Sequence, residues 1–202
     1  MRRTARSKNF LHTYIMMNKA AGTVCATASD SHPLVFSFLD DDMQEQAKTA
    51  PRGLRLHTVG RLDCQTSGLL LLTTDGYFSH YITSPESGIK KTYLVSLKVQ
   101  ISSDEEEEYN RRCRQGLILP PDHKAQEEKS APAELEWLSP SLCRITVTEG
   151  KFHEVRRIFL ALGNEVTALH RLSIGNLKLD ENLKPGQWRK LTEKEIELFN
   201  KK

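Results

Sequence analysis

Asp63 is the residue in this chain around which a reaction could be built. It lies in Gly60-Arg61-Leu62-Asp63-Cys64-Gln65-Thr66-Ser67-Gly68, directly ahead of four consecutive leucines, Leu69 to Leu72, and of Thr73-Thr74-Asp75-Gly76. Four apolar residues closed by Asp-Gly read as a buried strand entering a tight reversal. A carboxylate on the loop feeding such a strand, two residues from Arg61, is a candidate nucleophile or base held near a cation. The competing reading is a plain turn, since Asp, Thr, Ser and Gly close loops by bonding their own backbone.

Two other stretches carry side chains able to join such a carboxylate. In Lys90 to Ile101 the residues alternate, which predicts a strand with Tyr93, Val95, Leu97, Val99 and Ile101 on one face. Tyr93 then points inward, as a core ring or as a site residue. From Leu142 to Asn164 an alternating strand turns at Gly150 into a helix with an apolar stripe of Phe152, Val155, Ile158, Phe159 and Leu162, stopped by Gly163. At about 100° per residue, Arg156 falls roughly 90° from the stripe and can reach a core edge or cleft, whereas Arg157 falls opposite it, toward solvent or a polymer backbone. His153-Glu154-Val155-Arg156-Arg157 begins like a zinc-protease helix but lacks the second histidine, which excludes a metalloprotease at that site.

These side chains must be positioned by the elements around them. Leu11 to Cys25 reads as strand, loop and strand broken at Gly22, and Asp30-Ser31-His32-Pro33 as a turn into a short helix through Phe36 and Leu39. Residues 40–52 form a surface connection or short helix, and Leu54 to Val59 a strand that delivers the chain into the Asp63 loop. Tyr77 to Ser84 is a short helix ended by Pro85. Ser102 to Gly116 is a helix with a capping serine, acids in its first turn and arginines in its last, so its acidic run needs no function. Residues 120–132 form an exposed loop, Val166 to Gly175 another strand, and Thr192 to Glu195 a capping box that starts a terminal helix. Strands outnumber helices and hairpins outnumber crossovers, so the expected fold is α+β around a largely antiparallel sheet.

Composition sets the outer bounds. The 202 residues, 38% hydrophobic and 27% charged, suffice for one domain with a real core or two closely packed subdomains, and they fit neither a membrane-spanning nor a fibrous chain. A net charge of +3 permits an anionic partner such as RNA without requiring one. Cys25, Cys64, Cys113 and Cys143 have no metal-ligand spacing, so no structural zinc or disulfide framework is expected, and a reducing cytoplasm is. Residues 1–10, with four cations and no acid, read as a flexible basic tail rather than a targeting peptide, since they lack an apolar core segment.

Gly60-Arg61-Leu62-Asp63 with Thr66-x-Gly68-Leu69-Leu70, Asp75-Gly76, Ile82-Thr83-Ser84-Pro85, Lys91-Thr92-Tyr93, Glu149-Gly150-Lys151-x-His153-x-Val155-Arg156-Arg157 and Leu169-His170-Arg171-x-x-Ile174-Gly175 occur in the order of the motifs of the RsuA-type pseudouridine synthases, and the chain resembles that family from about Tyr14 to Glu195. The small-subunit (16S) branch is the most similar. The resemblance implies a pseudouridine synthase fold over residues 11–202, with a largely antiparallel central sheet, flanking helices and loops, and no separate N-terminal RNA-binding domain unless a longer native chain was cut. It implies Asp63 as the residue that attacks the target nucleotide, Tyr93 as the ring that packs on the base and moves a proton, and Arg156 as the cation paired with the carboxylate. It also implies RNA contacts from Arg61, Lys90, Lys91, Arg157, His170 and Arg171. The partner would be ribosomal RNA or a pre-ribosomal particle, met in the cytoplasm by a monomer needing neither cofactor nor metal. Glu154 and Ala20 stand where the family often has glutamine and proline. The rival readings are a non-catalytic ribosome-assembly factor that binds rRNA, and a synthase acting on 23S rRNA or tRNA.

Overall fold

The computed structural model describes residues 12–51 and 53–199; the basic tail expected over residues 1–10 lies outside them. The strands are β1 (Tyr14–Lys19), β2 (His57–Thr58), β3 (Thr66–Thr73), β4 (Lys91–Leu97), β5 (Ile118–Leu119), β6 (Glu128–Lys129), β7 (Glu134–Ser139), β8 (Leu142–Val147), β9 (Val166–Ile174), β10 (Leu177–Lys178) and β11 (Trp188–Lys190). The α-helices are α1 (Asp41–Thr49), α2 (Gly76–Thr83), α3 (Ser103–Gln115), α4 (Glu154–Ala161) and α5 (Glu193–Glu197). The main sheet runs β11-β1-β3-β9-β4-β8-β7, with β2 also on β3 and β10 on β9, while β5 and β6 pair separately. Only β3 against β9 is parallel, through Thr66–Leu169, Ser67–His170 and Gly68–Arg171, so the expected α+β class and largely antiparallel sheet are what the chain adopts.

The leucine run of β3 is uninterrupted because both faces of that strand are covered. Leu70 and Leu72 pack with Ile15, Met17, Val35 and Leu56 on one side. Leu69 and Leu71 pack on the other with Met16, Val59, and Phe78 and Ile82 of α2. A third core lies where α3 and α4 cover β4, β8 and β9, and includes Val95, Cys143, Ile145, Ile158 and Phe159. All four cysteines are free thiols.

Several local expectations change. Asp75-Gly76 is no strand reversal; the Asp75 carboxylate accepts from the Tyr77 and Phe78 amides and caps α2, whose first residue is Gly76. The strand expected as far as Ile101 stops at Leu97, and Val99 is 56% exposed. There the chain leaves its partner: the Lys98 amide donates to the Glu165 carbonyl and the Val99 amide to the Asn164 side chain. The strand expected over Leu54 to Val59 shrinks to β2, where His57 and Thr58 pair with β3, and the Val59 amide still donates to the Leu71 carbonyl. The caps of α3 and α5 form as expected, each a reciprocal capping box, Ser102 with Glu105 and Thr192 with Glu195.

Candidate active site

The Asp63 loop bridges β2 and β3, and one ammonium group fixes its course. Lys19, the last residue of β1, is fully buried, and its Nζ donates to the carbonyls of Ala20, Asp63, Cys64 and Thr66 at 3.2, 3.1, 3.2 and 2.8 Å. Three N–H groups shared among four carbonyls add a charged donor to backbone that closes the loop over the end of β1. Burial pulls the Lys19 pKa below its ordinary value, against the opposing pull of Cys25, Cys64 and Asp63. The Gly22 amide donates to the Cys64 carbonyl at 2.8 Å and the Thr66 amide to the Asp63 carbonyl at 3.0 Å. With its main chain tied inward, Asp63 presents its carboxylate to an open cleft.

The far wall of that cleft comes from Lys91 and Tyr93 of β4, Leu169, Arg171 and Ile174 of β9, and the turn from Glu149 to Val155. Tyr93 and Arg171 are cross-strand neighbours, with the Arg171 guanidinium carbon 5.9 Å from the Tyr93 ring centroid and Nη1 3.5 Å from the phenol oxygen. Arg171 Nε donates to the Leu69 carbonyl at 2.7 Å, while Nη2 is buried with no partner among the described residues. Lys91 Nζ donates to the Thr148 carbonyl, and burial, then the nearby Arg171 charge, lowers its pKa.

Two acids stand beside these cations. Glu154 is buried, and burial, then the Glu149 charge, push its carboxyl up to about 7 against Lys151 and Lys91. Glu149 moves the other way: burial would raise it, but bonds from Lys151 Nζ and the Ala131 amide outweigh that, helped by a hydrogen bond with Glu154. His153 faces the Asp63 carboxylate directly, with Nε2 3.8 Å from Asp63 Oδ1, while Thr66 Oγ1 donates to Asp63 Oδ2 at 3.4 Å. A one-third-exposed carboxylate beside a phenol and several cations can attack an electrophilic carbon, exchange protons and hold an anionic ligand.

Asp63 and Tyr93 therefore share one cleft, and Arg61 stands exposed at its mouth. Arg156 does not line it. Arg156 Nη1 donates to the Val166 carbonyl at 3.1 Å, and the side chain borders a separate depression with Gln65, Ser67 and His170. The reason is that α4 starts only at Glu154, so the preceding His153 occupies the position facing Asp63. Arg157 also departs from its expected outward face: it is 2% exposed and bonds the carbonyls of Pro120 and Gln126 and the Glu128 carboxylate. The segment from 118 to 129 covers the side of α4 that the helical wheel leaves to solvent.

Among the other cations, Lys90 is exposed and paired with Glu134 at 3.0 Å, and His170 Nδ1 lies 2.8 Å from Ser67 Oγ. Lys91 and Arg171 are buried rather than displayed on the surface, because they share strand faces with Tyr93 and Leu169. Lys19, Glu149 and Lys151 were not singled out as site residues from sequence. The only signal for Lys19 is a cation closing a strand that opens on the apolar run Ile15-Met16-Met17. Among the described residues, no group of three His, Cys, Asp or Glu side chains could hold a metal ion, and no helix is long and apolar enough to cross a membrane.

Comparison with known proteins gives consistent matches. A family model described as RNA pseudouridylate synthase matches residues 13–161. A ribosomal small subunit pseudouridine synthase A of Haemophilus influenzae is 42% identical over 91% of this chain and 72% of its own length. Its counterpart in Escherichia coli K12 is 43% identical over the same shares. A crystal structure of a pseudouridylate synthase superimposes with a TM-score of 0.80 at 40% identity, covering 94% of this chain and 74% of that one.

Proposed function

Because the chain belongs to the RNA pseudouridylate synthase family, we propose that it isomerises one specific uridine of small-subunit (16S) ribosomal RNA to pseudouridine, with Asp63 as the nucleophile. Asp63 attacks the target nucleotide, the bond between ribose C1′ and uracil N1 breaks, the uracil turns, and C5 bonds to C1′ as Asp63 is released. The C5 proton is lost and N1 gains one, so the sequence balances without an oxidant or reductant. Tyr93 packs on the base and serves the proton transfer. The uridine leaves its stack to enter, at a cost of about a few kcal/mol, which phosphate contacts at the cleft mouth offset. Arg61 is the first candidate for such a contact.

The observation that supports this reading is the shared cleft of Asp63 and Tyr93, walled by buried cations and reached past an exposed arginine. Residues 11–202 act as the catalytic domain. The proposed setting is the bacterial cytoplasm, with the protein acting as a monomer on ribosomal RNA or a pre-ribosomal particle. Its names-in-kind in two bacteria, ribosomal small subunit pseudouridine synthases, support the small-subunit target.

The test is to map pseudouridine in ribosomal RNA from cells with and without the protein, and from cells carrying Asp63→Asn. The expected result is one 16S site lost in both altered strains. An unchanged map without the protein, or undiminished product with Asp63→Asn, overturns the assignment; a lost site in 23S rRNA or tRNA overturns the target alone.

A further inference from the structure

His153 has a backbone that its neighbours alone do not require. Its φ of 50° and ψ of 30° make it the only non-glycine residue with positive φ among the described residues. Non-glycine residues seldom adopt this region, and such outliers cluster where a side chain must be aimed. Here the strain aims the imidazole between two carboxylates from different parts of the chain. Nδ1 is 2.7 Å from Asp122 Oδ2, and Nε2 is 3.8 Å from Asp63 Oδ1. The Phe152 ring stacks on the imidazole with centroids 3.8 Å apart and planes 23° from parallel, which fixes the plane of the ring. None of this is needed to start α4, since His153 makes no side-chain cap of that helix.

We propose that His153 is the positioning residue for Asp63, aimed by Asp122. This deepens the reading of Asp63 as nucleophile and rests on it. An ionised carboxylate only accepts hydrogen bonds, so Asp122 fixes the proton on Nδ1. Nε2 is then the ring atom turned to Asp63 Oδ1, so one ring spans the gap between the two acids. Thr66 addresses the other oxygen, Oδ2, so each oxygen of the nucleophile is held from its own side and the carboxylate has one orientation toward the cleft. At 3.8 Å the Nε2 contact is longer than a hydrogen bond, as catalytic contacts often are before substrate closes the site. Asp122 comes from the same 118–129 segment that covers Arg157, so that segment reaches the nucleophile through a single imidazole.

Asparagine tolerates the left-handed backbone, so His153→Asn removes the imidazole with little disturbance of the turn. With the RNA substrate, His153→Asn is expected to lower kcat at least tenfold with KM changed less than twofold, and Asp122→Ala to produce part of the same kcat loss. A wild-type kcat in His153→Asn overturns the proposal. Nitrogen-15 NMR of the histidine rings provides a reading that needs no activity. The His153 Nδ1 resonance should move in Asp122→Ala and its Nε2 resonance in Asp63→Asn. An Nε2 resonance indifferent to Asp63→Asn also overturns the proposal. If the wild-type protein makes no pseudouridine while these resonances respond as expected, the functional reading fails and the positioning of Asp63 stands.

Discussion

The two segments that face each other across the cleft are held in opposite ways. Residues 60–66 are fastened through the main chain, with carbonyls turned inward to one buried lysine and the Cys64 carbonyl bonded by Gly22. Residues 149–157 are fastened through side chains that reach outward: Glu149 to the Ala131 amide, His153 to Asp122, and Arg157 to the carbonyls of residues 120 and 126 and to Glu128. The first arrangement leaves a side chain free to act on a rigid base. The second makes the opposite wall depend on a polar segment some thirty residues earlier in the chain.

Substituting the anchor of each segment tests that contrast. Lys19→Met keeps the length of the side chain but takes the charged donor from four carbonyls, three of which keep a second donor, so it should cost about 3 kcal/mol, seen as a lower urea midpoint. Faster amide exchange over residues 60–66 should accompany it. Arg157→Met should cost less, about 2–3 kcal/mol, because Glu128 is partly exposed and can be rehydrated. Its exchange signature should be confined to residues 118–129 and 150–157. Equal loosening of both segments by either variant would break the comparison. The smallest effect concerns Glu154. The fold raises its carboxyl from 4.5 to about 7, favouring the protonated acid, so the stability linked to this group is present at low pH and lost as pH rises from about 4.5 to about 7. Glu154→Gln should therefore melt above wild type at pH 8 and near it at pH 4, by at most about 3 kcal/mol. A gain confined to pH 4 would contradict the sign.

The same contrast explains what could be read from the sequence. The β3 leucines, the capping serine of α3, the capping box of α5, and the strand of β9 are local signals, and all are realised. The cleft location of Asp63 and Tyr93 follows from two such signals, a loop feeding a buried strand and an inward strand position. Parity along a strand also carried information about Lys91 and Arg171, which share faces with Tyr93 and Leu169, yet their charge favoured a surface reading. Arg157 was not legible, because a helical wheel knows only its own helix, and the cover arrives from residues 118–129. The position of His153 was hidden for a related reason: its backbone conformation shortens the helix expected from Phe152 and exchanges the places of His153 and Arg156 relative to Asp63.

Gly68 has a wider consequence than its size suggests. It lies in the short parallel pairing of β3 with β9, at φ 100°, and a Cβ there would collide with the Arg171 backbone. Asp63 hangs from the β3 side of that pairing, while Tyr93 and Arg171 belong to the β9 side. The pairing thus works like the rivet of a pair of tongs: the gap between nucleophile and opposing ring is set where the backbones touch, several residues from the jaws. Thickening the rivet by one methyl group would spread the jaws without altering any residue that lines them.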